Sequence, residues 1–189
     1  MQKKLLGYFA NIVAVLLIAF TVRYYLSGSS FMQPGAETGL PNTQTLGTQT
    51  LFASKFSDVS GKNQAISQWK DKVIVVNFWA TWCPPCREEM PELSRLQEQY
   101  QDRGLVVLGI STDELDKIRE FVKENPVSYP LLSGEIDAMN LGLSLGNDKG
   151  VLPYTVIIKP DGSIAKSYFG RVNQALLKET LLPLMPASK

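Results

Sequence analysis

Histidine is absent from this chain of 189 residues. That removes imidazole acid–base chemistry, Ser-His and Cys-His nucleophile pairs, and imidazole metal ligands. Cysteine occurs only twice, as Cys83 and Cys86. Two thiols without imidazole cannot complete a structural zinc site of the usual Cys/His type from one chain, so no metal site is expected. Neither cysteine lies near the start, which excludes a lipid-modified N-terminal cysteine. Net charge is scarce as well, at +1, so there is no electrostatic footprint for nucleic acid. No internal repeat is visible. The length and the 44% hydrophobic content suit one globular domain with an appendage.

The appendage is N-terminal. Lys3 and Lys4 precede an apolar run from Leu5 to about Val22, broken only by Asn11. A run of that length crosses a bilayer as a helix, whereas cleaved signals carry a shorter apolar core of about 7–15 residues. Residues 1–26 are therefore expected to be an uncleaved signal-anchor. Ser27 and Ser29 offer a competing small-x-small cleavage site. Lys3 and Lys4 flank one side, and Arg23 is the last cation before Lys55 on the other. This bias puts the N-terminus in the cytoplasm. The expectation is a single-pass protein of the cytoplasmic (inner) membrane. Its domain faces the periplasm or cell exterior, where disulfides persist. Residues 27–50 are rich in Ser, Gly, Thr, Gln, Pro and Asn, with Glu37 their one charge. They are read as a flexible linker spanning about 25–30 Å, against the alternative of a wrapped extension. Residues 51–189 are the domain.

Within the domain, strand and helix patterns alternate. Leu51–Phe56 reads as a short strand and Ser60-Gly61-Lys62 as a turn. Ala65–Trp69 reads as a helical turn, and Val73–Phe78 as a buried strand interrupted by Asn77. Met90, Leu93, Leu96 and Tyr100 recur at helical spacing over 86–100, and Gly104 stops that helix. Leu105–Ile110 is a second buried strand. A helix over 113–123 is expected to take its cap from Ser111 or Thr112. A weaker helix covers 136–145. Strands over 154–158 and 163–169 flank the turn Pro160-Asp161-Gly162, and a helix capped by Asn173 closes the chain. The order predicts an α/β fold with a mixed central sheet covered by helices on both faces.

Cys83 and Cys86 lie where the strand at 73–78 hands over to the helix at 86–100. Cys83 sits at the helix N-terminus, where unpaired N–H groups and the dipole favour a thiolate. Arg87 adds positive charge. Pro84 and Pro85 preset helical φ but remove two N–H donors, which limits the fall in the Cys83 pKa. Cys83 is therefore the expected nucleophile and Cys86 the resolving thiol. A purely structural disulfide is a poor alternative, because so short a loop contributes at most about 2 kcal/mol. Two thiolates also suit Cu(I), so a non-redox Cu(I) carrier remains an alternative. A thiol peroxidase is a third, although Thr-x-x-Cys is absent around Cys83. At about 100° per residue, Glu89 falls about 60° from Cys86, on the edge of the inner face, and Glu88 points to water. Glu89 is the candidate base for the Cys86 proton; alternatively it only stabilises the first helical turn. Pro153 stands at the start of a strand, either as a tolerated first-strand proline or as a cis peptide presenting the Leu152 backbone to a client.

The run Asn77-Phe78-Trp79-Ala80-Thr81-Trp82-Cys83-Pro84-Pro85-Cys86-Arg87-Glu88-Glu89-Met90-Pro91, with a later Leu152-Pro153 before a strand, resembles the thioredoxin superfamily. It closely resembles the membrane-anchored TlpA/ResA/DsbE branch, and the resemblance covers about 50–182. It implies a thioredoxin-like fold, a cis peptide at Pro153, an active-site acid at Glu89, and disulfide exchange with extracytoplasmic client proteins. Trp82, Pro84, Pro85, Leu152 and Pro153 are the implied client-binding residues. The redox-active disulfide Cys83–Cys86 replaces any cofactor. Reduction during cytochrome c or oxidase copper-site maturation is the implied role, fed by a membrane thiol electron donor. The chain departs from thioredoxins proper at Asn77, where they carry a buried acid, and at Leu152, where a smaller or β-branched residue is common. Leu141–Lys149 has no motif and reads as a client-contacting loop or as packing.

Overall fold

The computed structural model describes residues 16–23 and 43–186. The chain divides into two units, Met1–Leu40 and Pro41–Lys189. In the first unit, residues 16–23 are helical with exposed side chains. Among the described residues no helix is long and apolar enough to cross a membrane. Most of the Leu5–Val22 run, and residues 27–42 of the expected linker, lie outside the described residues.

The second unit begins with helix α1 (Thr43–Ala53), then β1 (Lys55–Asp58), β2 (Asn63–Ala65), a 3-10 turn Ile66–Trp69 and β3 (Val73–Trp79). Helix α2 (Pro84–Tyr100), β4 (Leu105–Ser111), α3 (Leu115–Glu124), β5 (Leu131–Ser133) and α4 (Glu135–Ser144) follow. The chain ends with β6 (Tyr154–Ile158), β7 (Ile164–Phe169), α5 (Gln174–Leu181) and a 3-10 turn Leu182–Leu184. The sheet has seven strands in the order β2-β1-β5-β4-β3-β6-β7. β3, β4 and β5 run parallel, and β6 pairs antiparallel with β3 and β7. This is the mixed sheet the alternating pattern predicts.

Alternation along β3 divides the core in two. Val73, Val75 and Trp79 join a cluster with Met90, Leu93 and Leu96 of α2, Ile118 of α3, and Leu177 and Leu181 of α5. Ile74, Val76 and Phe78 join the other, with Leu51 of α1, Ile66, and Ala138 and Leu141 of α4. Successive strand residues point to opposite faces, so β3 must be apolar on both. All seven of its residues are buried.

Three expectations are corrected. Leu51–Phe56 is not one strand: Leu51–Ala53 ends α1, and the strand starts at Lys55. Leu51 is fully buried against Ile66 and Ile74 from a helical position, and six residues of apolar text cannot separate helix from strand. Helix α1 also takes up residues 43–50 of the expected linker. Gly47 makes this docking possible, because a Cβ there would collide with the Ser144 carbonyl at the end of α4. Finally, neither Ser111 nor Thr112 caps α3. It starts at Leu115 with Glu114 as an N-cap that makes no side-chain bond. Strand β5 is only three residues long and has no legible pattern of its own; its pairing with β4 and β1 makes it a strand.

Candidate active site

Helix α2 begins at Pro84, two residues before the expected start, with Pro84 and Pro85 in its first positions and Cys83 as N-cap. Prolines fit there because the first N–H groups have no intrahelical acceptor. Cys83 and Cys86 form a disulfide with their Cα atoms 5.3 Å apart. The backbone N–H of Cys86 donates to Cys83 Sγ at 3.3 Å. It is the first N–H past the two prolines, so the sulfur at the helix terminus does have a donor. Cys86 is fully buried and Cys83 nearly so, at 3% exposure, whereas Trp82 beside them is 68% exposed.

The turn that carries the cysteines is held by the end of β4. Cys83 N–H donates to the Ala80 carbonyl at 3.2 Å, and Thr112 N–H to the Trp79 carbonyl at 3.1 Å. The Asp113 carboxylate accepts the Thr81 N–H at 2.6 Å and lies 3.2 Å from the Ser111 hydroxyl. Asp113 is buried, and the Ser111 hydroxyl accepts the Asp113 N–H at 3.0 Å, which keeps it from the first turn of α3. Across from this turn the Leu152–Pro153 peptide is cis. The Pro153 carbonyl accepts the Gly170 N–H at 2.9 Å. Asn147 steadies the approach, donating from its amide to the Val151 carbonyl at 2.9 Å and accepting the Val151 N–H at 3.1 Å. Leu152 packs against both core clusters.

Glu89 lies one turn beyond Cys86 and is fully buried. Its Oε2 accepts the Val172 N–H at 2.8 Å, and its Oε1 accepts from the Asn77 amide at 2.6 Å. Burial pushes its pKa up to about 7, against the downward pull of the Val172 N–H, the Asn77 amide and the Arg171 charge. Glu88 faces out, 3.2 Å from Arg171. The two neighbouring acids thus have opposite environments, as helical projection predicts. Tyr129 is buried as well, and desolvation together with the Glu89 charge drives its phenol pKa far upward.

Trp82 and Leu152 form part of the wall of a cavity of about 370 Å³, with Phe78, Met139 and Leu143 opposite. Part of the motif-free Leu141–Lys149 segment therefore lines a groove, while Leu141 and Leu145 pack in the core. A larger cavity of about 650 Å³, lined by Phe52, Lys70 and Asp161 among others, touches none of these residues. Among the described residues no group of three or more His, Cys, Asp or Glu is placed to hold a metal ion.

Sequence reasoning missed three contributors. In sequence Asn77 stands out only as a departure from thioredoxins proper, yet it is the side-chain partner of Glu89. Its one signal was a polar residue inside an apolar strand. Asp113 and the Val172 N–H left no signal, because their roles depend on chain crossings that sequence does not order.

A buried disulfide at the start of a helix, a cis proline opposite and a buried acid behind it define a thioredoxin-like thiol-disulfide oxidoreductase. Residues 48–167 match the AhpC/TSA family, and the chain belongs to it. Thiol-disulfide oxidoreductase ResA of Bacillus thuringiensis subsp. konkukian is 30% identical over 133 residues, covering 69% of this chain and 73% of the relative. The chain is thus a TlpA/ResA/DsbE-like member of the thioredoxin superfamily. A secreted thiol-disulfide isomerase from Corynebacterium glutamicum shares its fold at a TM-score of 0.64 and 26% identity, covering 71% of this chain and 84% of the other. A thiol:disulfide interchange protein from Chlorobium tepidum does so at 0.62 and 25%, covering 69% and 92%.

Proposed function

We propose that this oxidoreductase reduces disulfides in extracytoplasmic client proteins from a membrane tether. The observation that carries the reading is the fully buried Glu89 carboxyl, pKa about 7, one turn behind the fully buried Cys86. A resolving thiol out of reach of water needs an internal proton acceptor, and an acid poised near neutrality can take and return a proton.

The Cys83 thiolate attacks one sulfur of the client disulfide. A Cys83–client mixed disulfide forms, and the other client sulfur leaves as a thiolate. Cys86 passes its proton to Glu89, and its thiolate attacks Cys83 Sγ. The second client sulfur leaves, and the Cys83–Cys86 disulfide carries the two electrons' worth of oxidation. A membrane thiol electron donor then returns the pair to the dithiol. Trp82, Pro84 and Pro85 form the rim that meets the client, the Leu152 backbone beside cis-Pro153 offers it an extended edge, and the groove along α4 takes flanking apolar side chains. The apolar run at 5–22 serves as the anchor in the cytoplasmic membrane. Apocytochrome c and the copper site of an oxidase are the client classes that the family resemblance favours.

The test is trapping in whole cells. Cys86→Ser, unable to resolve, should accumulate mixed disulfides through Cys83, and Cys83→Ser should accumulate none. Absence of any trapped extracytoplasmic protein would sink the client reading. The reduction potential of the pair then decides direction. A value near −270 mV marks a reductant, and one near −120 mV reverses the flow.

A further inference from the structure

Asn77 is fully buried on β3 and stands directly opposite Thr155 of β6 in the sheet register. Its amide nitrogen donates to Glu89 Oε1 at 2.6 Å and to Thr155 Oγ1 at 3.0 Å. Both amide hydrogens are thereby used. The amide oxygen, Oδ1, is equally buried and has no hydrogen-bond partner. An unpaired buried acceptor is costly and seldom occurs without a reason.

We propose that Asn77 is a positioning residue that serves both protonation states of Glu89 by turning its amide over, with the Thr155 hydroxyl following. This rests on Glu89 as the proton acceptor for Cys86. The Glu89 Oε2 is committed to the Val172 N–H, a backbone donor that cannot become an acceptor. A proton leaving the Cys86 thiol therefore settles on Oε1, giving a Cys86 thiolate and a neutral acid. There it faces the Asn77 N–H, hydrogen against hydrogen. A half-turn about the last side-chain torsion of Asn77 removes the conflict. That torsion is broad and two-fold, and the two ends of the amide have nearly the same shape, so the packing need not change. Oδ1 then accepts from the Glu89 O–H and from the Thr155 O–H, since a hydroxyl donates as readily as it accepts. Each orientation leaves one end of the amide unpaired. Neither protonation state is therefore strongly preferred, and the proton can come and go. An aspartate at this position could not donate to the carboxylate and would add a second charge.

The other groups that act on Glu89 do not replace this exchange. Arg171 contributes only its field and is paired with Glu88 on the outer face, and the Tyr129 phenol stays protonated. Cys83 and Cys86 are silent in the disulfide form, which makes that form the one to titrate.

The test is NMR of the full, isotope-labelled chain in detergent micelles, as the disulfide, between pH 5 and 9. The Glu89 carboxyl carbon and the Asn77 side-chain amide are followed separately. Expected are close contacts from the amide hydrogens to Thr155 and Glu89 at pH 9 that vanish by pH 5, with the midpoint of the Glu89 titration. Contacts that persist while Glu89 titrates overturn the amide turnover and leave the role of Glu89 standing. A Glu89 carboxyl that does not titrate in this range overturns both. In Thr155→Val the carboxylate state is left with an unpaired amide N–H, whereas in the acid state Oδ1 still holds the Glu89 O–H, so the Glu89 midpoint should rise by about half to one pH unit. Thr155→Ser should restore the midpoint; equal midpoints in Thr155→Val and the parent chain remove Thr155 from the device.

Discussion

The two faces of the central sheet are built to different standards. The face under α1 and α4 is apolar and saturated. Leu51, Ile66, Ile74, Val76, Phe78, Leu108 and Ile110 fill it, and its buried phenol, Tyr154, donates to the Leu145 carbonyl at 2.8 Å. The face under α2 and α5 is just as closed to water but carries Cys83, Cys86, Glu89 and Asn77. Every buried side-chain atom without a hydrogen-bond partner among the described residues belongs to a residue directed to that face: Asn77 Oδ1, Trp79 Nε1 and the Tyr129 hydroxyl. One face serves stability, and the other gives up some of it to keep an ionisable group in the core. The same strand, β3, supplies both, because its residues alternate between them.

Mutations that strike one face and spare the other sharpen this contrast. The largest effect is Cys83→Ser, which should abolish disulfide exchange while leaving the fold intact; turnover and circular dichroism of the same sample check both halves. Leu108→Ala, on the apolar face, should cost about 2–5 kcal/mol in urea unfolding and leave the pH dependence of exchange where it was. A shifted pH profile would mean that the faces are not independent.

Glu89→Gln should do the reverse. Below pH 4.5 the carboxyl is protonated in both the folded and the unfolded chain. Between 4.5 and about 7 the unfolded chain releases the proton and the folded one keeps it, so stability falls as pH rises through that window. Above it the native acid costs about 3 kcal/mol. The glutamine variant should therefore be more stable than the parent at pH 8 and close to it at pH 4. It should also resolve mixed disulfides slowly, without the limb near pH 7. Asp113→Ala should cost about 1–2 kcal/mol and speed hydrogen exchange at the Thr81 amide by about tenfold or more. The smallest change in stability is Trp82→Ala. The side chain is so exposed that unfolding should move by less than about 0.5 kcal/mol, while KM for a protein client rises. An unchanged KM would take Trp82 out of the client rim.

Much of this contrast was legible in advance. The continuous apolar text of β3 and β4 announced strands buried on both faces. The spacing of Met90, Leu93 and Leu96 announced the inner face of α2, with Glu89 at its edge and Glu88 off it. Residues 51–56 read as a strand in sequence because Leu51 is buried by a helix whose polar side carries no strong pattern. Strand β5 was invisible because its three residues become a strand only through neighbours more than twenty positions away in β4 and more than seventy in β1.

The sequence by itself determined the chemistry. With no histidine and two cysteines three residues apart at a strand-to-helix junction, the sequence favoured a redox dithiol pair served by a carboxylate over a Cu(I) carrier or a thiol peroxidase. Local rules suffice there, since helix periodicity and proline φ act within a few residues. Tertiary structure alone decided how that carboxylate is held. It brought the Val172 N–H to one oxygen of Glu89 and the Asn77 amide to the other, set Thr155 beside that amide, and tied Thr81 to Asp113. Those partners lie between 12 and 83 residues apart. Burial and hydrogen bonding over such separations depend on how the sheet closes, and through them the fold turns an ordinary glutamate into an acid poised near neutrality.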